Sequence, residues 1–208
     1  SDGSNTIEEI VQKSISLGYK FIGIADHSQT SKFAGGMDKQ KLLERNKKID
    51  EVAQRYPGIK IFKGAEVDIL GNGNLDYPDE ILAQLDFVIG SIHQGFHKNV
   101  TERMIKAMEN PYLDIIGHPT GRLISGREGY DIDIDRVIEY AGRNGVALEI
   151  NAYFDRLDLN ATHIGALKSS AIVTGLESGK RYLISVRANS RRNSGPESKA
   201  ITIYEVGG

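Results

Sequence analysis

Residues Phe21–His27 read Phe-Ile-Gly-Ile-Ala-Asp-His, a short apolar run that ends abruptly in a carboxylate and an imidazole. The run lies between Gly18 and the polar stretch Ser28–Ser31, and its β-branched residues are typical of a buried strand. The sequence therefore predicts a β-strand whose C-terminal end carries side chains that can bind a metal ion.

Four further stretches repeat this pattern of an apolar run that stops at a polar side chain. They are Ile61–Glu66, Phe87–His93, Asp114–His118 and Val146–Asn151. In barrels of parallel strands the C-terminal ends lie together, and active sites are found at that face. We therefore expect the polar side chains that end these five runs to share one edge of a sheet.

Helix signals separate the predicted strands. The sequence predicts helices between Thr6 and Gly18, from Asp38 to about Arg55, from Pro78 to about Leu85, from Thr101 to Glu109 and from Asp135 to about Gly142. Thr6 and Glu9 fit a capping box at the start of the first helix. Strands that alternate with helices form parallel βα units, and right-handed crossovers favour a closed or nearly closed barrel. The predicted fold class is therefore α/β.

The composition changes near residue 160. Residues 1–159 carry 19 Lys and Arg against 25 Asp and Glu, whereas residues 160–208 carry 7 against 3. Three short runs without an intervening helix predict an antiparallel meander in this tail, at Ser170–Val173, Tyr182–Ala188 and Ala200–Tyr204. We therefore expect a domain boundary, with residues 1–160 in the α/β part and residues 161–208 in a short β segment.

The overall composition is that of an ordinary globular protein, with 39% hydrophobic and 26% charged residues among 208. No apolar run approaches the roughly 18 residues of a membrane span, so we expect no membrane partner and a cytoplasmic location. The chain begins at Ser1 rather than Met, which suggests a processed or excised piece. The absence of Cys excludes disulfides and thiolate metal sites, which leaves His, Asp and Glu as metal ligands.

Three His and one Glu end four of the predicted strands, namely His27, Glu66, His93 and His118. A lone strand-end His is more often a hydrogen-bonded structural residue than a metal ligand. Because several such groups are expected at one sheet edge, metal binding is the interpretation we favour. Imidazole and carboxylate ligands together suit Zn, Mn or Fe, and one Glu can bridge two ions in phosphoester hydrolysis.

Four residues near these strand ends each have two open interpretations. Asp26 either orients a metal ligand or belongs to a strand-end turn. His97, just past His93, either contacts substrate or lies in a solvated loop. Arg122 is either a phosphate clamp or a surface residue. Glu149 either points into the barrel or pairs with a Lys.

The strand ends lie within four longer motifs, Ile24–Ser28, Gly64–Ile69, Leu75–Glu80 and Asp114–Arg122. Together these motifs resemble the PHP (polymerase and histidinol phosphatase) domain, and most closely the PHP domain that follows the polymerase core in bacterial X-family DNA polymerases. The resemblance covers roughly residues 1–160. It implies a distorted (βα)7 barrel, incomplete here, with a metal centre and a phosphoester substrate.

By motif, the resemblance implies five metal ligands: Asp2, His27, Glu66, His93 and His118. The family's His-x-His before the Ser-Asp-Gly turn is absent. Its final Asp-x-His is absent too. If Tyr182–Asn189 is aligned with the last strand of the family, Arg187 and Asn189 occupy the two ligand positions. We therefore expect one or two ions of Mn, Zn or Fe rather than three, bound most tightly by Glu66, His93 and His118, and impaired two-metal chemistry.

The resemblance leaves three functions to be distinguished. The first is a metal-dependent phosphoesterase that acts on DNA ends, of the 3′–5′ exonuclease or phosphatase type, with DNA contacts near Arg122 and Lys98. In this reading His97 and Arg122 are the candidate catalytic residues. The second is a small-molecule phosphatase of the histidinol phosphatase type, and the third is a non-catalytic chimeric scaffold or interaction protein. The polymerase-like motifs favour the first.

Three tail motifs follow one another at Val173–Tyr182, Val186–Ala188 and Ser194–Ser198. They resemble the second half of a fibronectin type III module, in which Tyr182 is the corner tyrosine. Three strands cannot close a two-sheet sandwich. We therefore expect tail strands to cover the open edges of the incomplete barrel, beside the strands of His27 and Asn151, within one chain or through self-association.

Overall fold

A computed structural model describes residues 3–153, 155–160 and 163, together with the backbone of residues 171–174, 185–186 and 201–202. The chain divides into two compact units, of which the first comprises Ser1–Asp68 and Leu75–Ile89 and the second Ile69–Asn74 and Gly90–Gly208. Helices alternate with parallel strands in both units, which confirms the predicted α/β class. None of the described helices combines the length and the apolar composition that crossing a membrane requires.

The first unit contains a parallel pair of strands with helices before and after them. Its elements are α1 (Ile7–Ser16), β1 (Phe21–His27), a 3-10 helix (Lys32–Ala34), α2 (Lys39–Arg55), β2 (Lys60–Asp68), α3 (Asp79–Leu82) and the first part of β3 (Phe87–Ser91). The pairing of β1 with β2 runs from Phe21 opposite Lys60 to His27 opposite Glu66. This register places two predicted ligands side by side at the C-terminal end of the pair.

Local signals explain where the helices of the first unit begin. The Thr6 hydroxyl accepts a hydrogen bond from the Glu9 N–H, and the Glu9 carboxylate accepts one from the Thr6 N–H, which forms the predicted capping box. Asp38 caps α2 through the Lys41 N–H. Burial of each aliphatic core side chain contributes about 1.5–3 kcal/mol. The core that joins both helices to the strands contains Val11, Ile24, Ile49, Val52, Ile59 and Ile61.

The second unit continues the alternation of strands and helices. It contains the end of β3, α4 (Val100–Met108), β4 (Ile115–Ile116), α5 (Ile134–Asn144), β5 (Ala147–Asn151), β6 (Ala171–Thr174), β7 (Ser185–Val186) and β8 (Ile201–Thr202). Strands β4, β5 and β6 are parallel neighbours. Helix α5 contacts α4 and β5, and Gly145 ends it at φ 65°, a left-handed value that favours glycine.

The tail differs in part from the prediction. Strands β7 and β8 form an antiparallel pair as expected, but the prediction of one antiparallel meander is wrong for β6, which lies parallel beside β5. Without β6, strand β5 would present unpaired backbone groups, and β6 supplies partners for them. The expected tail strand beside the Asn151 strand is therefore present. The boundary near residue 160 stays a prediction.

Most of the fibronectin type III motif positions lie outside the described residues, as do Arg187 and Asn189. For Val173–Thr174 and Val186, the structure describes the backbone alone. The resemblance of the tail to that module therefore stays a prediction as well.

Candidate metal centre

His27 and Glu66 form the first pair of predicted ligands, at the ends of β1 and β2. The parallel register sets the two residues opposite each other, and His27 Nε2 lies 3.4 Å from Glu66 Oε2. The two side chains are 18% and 23% exposed, so both are largely enclosed and still accessible to a small ligand. This pair belongs wholly to the first unit.

His93 and His118 form the second pair, in the second unit. His93 follows β3 and His118 follows β4. Their Nε2 atoms lie 3.3 Å apart, and the ring centroids are 5.2 Å apart. Two neutral imidazoles face each other in this way when one donates a hydrogen bond, or when both lone pairs are directed at one cation.

The separation within each pair fits ligands of a shared metal ion. Zn–N bonds of about 2.0–2.1 Å and Zn–O bonds of about 2.0–2.2 Å, at a tetrahedral angle, put two ligand atoms about 3.3–3.5 Å apart. The N···O separation of 3.4 Å and the N···N separation of 3.3 Å both fall in this range. The residues present therefore fit the metal that the sequence predicts.

The backbone of His118 is fixed by the strand end of β5. The His118 N–H donates a hydrogen bond of 2.6 Å to Glu149 Oε2. His118 has φ +28°, a positive value that costs about 1–3 kcal/mol for a residue with a Cβ. Glu149 therefore acts on a predicted ligand, a role that neither of the two interpretations from the sequence offered.

Asp26 precedes His27 and pairs with a buried arginine. Arg45 Nε lies 3.5 Å from the Asp26 carboxylate, and the guanidinium donates to the carbonyl oxygens of Ile24 and Gly64 at 2.9 and 2.6 Å. Arg45 is 5% exposed. Its burial lowers the pKa of the guanidinium, and the Asp26 charge partly offsets that effect. The strand end that carries His27 is thereby tied to α2.

His97 and Lys98 lie exposed on the loop between β3 and α4. The loop is organised by Arg103, which is 4% exposed and donates to the carbonyl oxygens of Gln94–Gly95 and of Ile69–Leu70. Burial lowers the pKa of the Arg103 guanidinium. His97 is therefore a solvent-facing side chain on a fixed loop, and its contact with substrate stays a prediction.

Arg122 lies in a cleft of about 260 Å³ in the second unit, which Thr120 and Tyr130 also line. Its Nε and Nη2 atoms donate to the carbonyl oxygens of Arg156 and Leu157 at 3.2 and 2.7 Å. The guanidinium is therefore held in place by the backbone of the segment that follows β5. Its role as a phosphate clamp stays a prediction.

Asp2, the fifth predicted ligand, lies outside the described residues. Two residues that the sequence analysis did not single out shape the strand ends, namely Arg45 and Arg103. Arg45 lies on the same face of α2 as the buried Leu42 and Ile49, three residues before it and four after it. A charged residue within an apolar stripe was thus the available signal, since such residues are rarely buried without a specific role.

The chain is similar in sequence to proteins that share one domain. A family model described as PHP domain matches residues 1–153. The DNA polymerase/3'-5' exonuclease PolX of Bacillus subtilis (strain 168) is 44% identical over 167 residues, which cover 79% of this chain and 29% of that protein. The probable phosphatase TTE1963 of Caldanaerobacter subterraneus subsp. tengcongensis is 32% identical over 191 residues, which cover 88% of this chain and 67% of the phosphatase. The chain therefore spans less than a third of the polymerase.

The fold is similar to that of a solved phosphatase. The crystal structure is that of histidinol phosphate phosphatase from Lactococcus lactis subsp. lactis, complexed with Zn, L-histidinol and phosphate. The match has a TM-score of 0.56 and covers 83% of this chain and 80% of the other. At 14% sequence identity, this likeness shows the fold alone.

Proposed function

The chain belongs to the PHP domain family, whose fold is a metal-dependent phosphoesterase fold, and we propose that it hydrolyses phosphoesters at DNA 3′ ends. One observation carries the metal-dependent part of this proposal. Each unit of the chain sets a pair of metal-capable side chains at the spacing of ligands to one ion, His27 with Glu66 and His93 with His118. The polymerase relative supports the DNA part, because 44% of the aligned residues are identical.

The strand-end side chains are the proposed ligands of one or two Mn, Zn or Fe ions. They are Asp2, His27, Glu66, His93 and His118. Neutral imidazole and ionised carboxylate are the ligating forms, so metal binding is expected to compete with protons. When bound, such an ion supplies a Lewis acid for the phosphoryl group and acidifies water.

Arg122 and His97 have proposed roles toward the substrate. An arginine neutralises and orients a phosphate through parallel N–H donors, so we assign the phosphate contact to Arg122. Histidine is the side chain that most often serves as a general acid in catalysis, so we assign proton delivery to the leaving oxygen to His97. Lys98, exposed beside His97, adds a cation for the backbone of a DNA strand.

A small-molecule phosphatase of the histidinol phosphatase type is the second candidate. Two observations favour it. The chain covers 67% of the probable phosphatase TTE1963 but 29% of the polymerase, and its fold is similar to that of a histidinol phosphate phosphatase. Both candidates use the same proposed ligands, so the choice between them depends on the substrate.

The test compares two phosphoesters on protein purified without chelator and supplied with Mn or Zn. The substrates are a single-stranded oligonucleotide labelled at its 5′ end and L-histidinol phosphate. We expect the oligonucleotide to be processed from its 3′ end, and Glu66→Ala to abolish this activity. Glu51→Ala, which removes an exposed carboxylate on α2, is the matched control and is expected to remain active.

Each result selects one of the candidate functions. Faster hydrolysis of L-histidinol phosphate would favour the small-molecule phosphatase. Hydrolysis of neither substrate by metal-loaded protein would favour the non-catalytic scaffold. Activity that persists in Glu66→Ala would contradict the ligand assignment.

A further inference from the structure

The loop between β1 and α2 turns polar side chains inward onto buried carboxylates. The Thr30 hydroxyl donates to Asp68 at 2.5 Å, and the Ser31 hydroxyl donates to Asp68 at 2.6 Å. The Thr30 N–H donates to the Asp76 carboxylate at 2.9 Å. Asp68 and Asp76 are 3% and 9% exposed. Charge-assisted hydrogen bonds in a buried setting are strong, so they hold the loop in one conformation.

Gly36 closes the same loop on itself. A Cβ atom at this position would overlap the Ser28 carbonyl oxygen, so a glycine is needed for the two backbone segments to approach. The Gly36 N–H donates to the Ser31 carbonyl at 3.0 Å, and the Met37 N–H donates to the His27 carbonyl at 2.8 Å. The loop is therefore fixed at both of its ends as well as along its length.

Phe33 projects from this fixed loop. It is 75% exposed and lies on the 3-10 helix Lys32–Ala34. Its ring centroid is 6.3 Å from that of His27, with an interplanar angle of 61°. Single exposed apolar side chains are common, but this one combines a large ring, a rigid support and a position beside a proposed metal ligand.

We propose that Phe33 is a stacking platform for the nucleobase of the substrate's terminal nucleotide. The inference rests on the proposed function and names its substrate class, a nucleic acid end. Stacking on an aromatic side chain tolerates any sequence, because every base has a π-face. A base stacked on Phe33 brings the phosphate of its own nucleotide next to His27. Lys32, exposed beside Phe33, provides a cation for that strand.

Fluorescence gives a binding test that does not depend on turnover. The sequence contains no Trp, so Phe33→Trp introduces a single indole reporter at the platform. A short single-stranded oligonucleotide is expected to quench its emission in a saturable way, because a stacked base quenches indole. An oligonucleotide of the same length without the terminal base is expected to bind about 5- to 150-fold more weakly. Equal binding of both, or of neither, would overturn the proposal.

Phe21→Trp is the matched control for the reporter. Phe21 is also exposed, at 57%, and it begins the strand that His27 ends. The length of that strand places Phe21 about 20 Å from His27, whereas Phe33 lies beside His27. The oligonucleotide is expected to leave the emission of Phe21→Trp unchanged. Equal quenching at both positions would reveal nonspecific binding and would overturn the proposal.

Enzymatic activity tests the stacking role of Phe33 independently of the fluorescence. In the unmodified chain, kcat/KM is expected to be higher for the base-bearing oligonucleotide than for the abasic one. Phe33→Ala is expected to lower the ratio of these two kcat/KM values about 5- to 150-fold. Phe33→Tyr keeps the ring and is expected to retain the preference. The metal content of Phe33→Ala is expected to match that of the unmodified chain, which separates stacking from loss of the metal. An equal loss on both oligonucleotides would contradict the assignment.

The failure of this inference is distinguishable from the failure of the proposed function. If the metal-loaded chain hydrolyses no oligonucleotide, the DNA-end function fails, while the Trp titration still decides whether a base binds at Phe33. If the chain hydrolyses base-bearing and abasic ends equally and the Trp emission does not respond, the function stands and the stacking role is refuted.

Discussion

The Glu149 carboxylate helps to hold the positive φ of His118. The 2.6 Å hydrogen bond from the His118 N–H to Glu149 stabilises a turn in which φ is +28°. Because His118 Nε2 lies only 3.3 Å from His93 Nε2, relaxation of this turn would displace one proposed ligand atom relative to the other. Glu149 is therefore expected to influence metal affinity through the position of His118.

The Glu149→Ala variant tests this positioning role. We expect its affinity for Mn or Zn to fall about 10- to 100-fold, which is the usual effect of removing a group that orients a ligand. Glu149→Gln keeps an acceptor oxygen for the His118 N–H and is expected to restore most of the affinity. Competition with a fluorescent chelator measures both variants. An unchanged affinity in Glu149→Ala would show that the turn does not need the carboxylate.

The buried pair of Arg45 and Asp26 is a second test at this scale. Arg45→Met removes the cation that joins α2 to the carbonyl oxygens of β1 and β2. We expect the free energy of unfolding at pH 7, from urea titration, to fall by about 3–5 kcal/mol, because a buried charge loses its partner. The double variant with Asp26→Asn is expected to lose less than the sum of the two single variants. Strict additivity would contradict the pairing.

The sequence singles out the proposed ligands more readily than the residues that hold them in place. His27, Glu66, His93 and His118 were predicted because an apolar run that stops at a polar group is a local signal. The contacts of Arg45, Arg103 and Glu149 depend instead on backbone atoms from distant parts of the chain. Exposure of Phe33 likewise follows from the tertiary contacts of its loop. Apart from the place of Arg45 in the apolar stripe of α2, these contacts leave no regular spacing in the sequence.

The helices and strands themselves follow from local signals. The capping residues Thr6 and Asp38 start α1 and α2 where the sequence predicts, and β1 has its predicted bounds. Strand β4 is shorter than predicted, with Ile115–Ile116 as its only strand residues, because the chain soon turns at His118 through a positive φ. The parallel pairing of β6 was missed, since strand direction depends on the route of the chain rather than on its composition.

The capping box of α1 gives a pH-dependent prediction. Hydrogen bonds from Thr6 lower the pKa of Glu9 below its ordinary value of 4.5. Because the pKa of Glu9 is lowered in the folded state, its hydrogen bonds with Thr6 stabilise the fold above pH 4.5. This stabilisation is lost as the pH falls through the folded-state pKa. Thr6→Ala keeps the backbone N–H and removes the hydroxyl donor, so it is expected to raise the pKa of Glu9 part of the way toward its ordinary value, as measured by NMR titration of the carboxyl carbon. An unchanged Glu9 pKa would contradict the capping box, and Ser16→Ala at the other end of α1 is the control.

The pairing of β6 with β5 is tested with proline. In a parallel strand, alternate N–H groups donate to a given neighbour, so either Ile172→Pro or Val173→Pro removes a donor to β5. We expect one of the two variants to be less stable than the other by at least about 1 kcal/mol in urea unfolding. If neither variant is destabilised, β6 does not contribute to the stability of the sheet.

At the level of the whole molecule, each of the two compact units carries two of the proposed ligands. The first unit supplies His27 and Glu66, and the second supplies His93 and His118. The family was predictable from sequence because its motifs lie at strand ends along most of the first 122 residues, within the residues 1–153 that the family model matches. The substrate was not predictable in the same way, since phosphoesterases of different specificity share the same ligand types.

Metal content per chain decides whether the strand-end side chains form a metal centre. The protein is purified without chelator and analysed by mass spectrometry, beside Glu66→Ala and the control Glu51→Ala. We expect one or two ions of Mn, Zn or Fe in the unmodified chain and in Glu51→Ala, and none in Glu66→Ala. Absence of metal from the unmodified chain, even after addition of Mn or Zn, would contradict the metal centre and the function proposed for it.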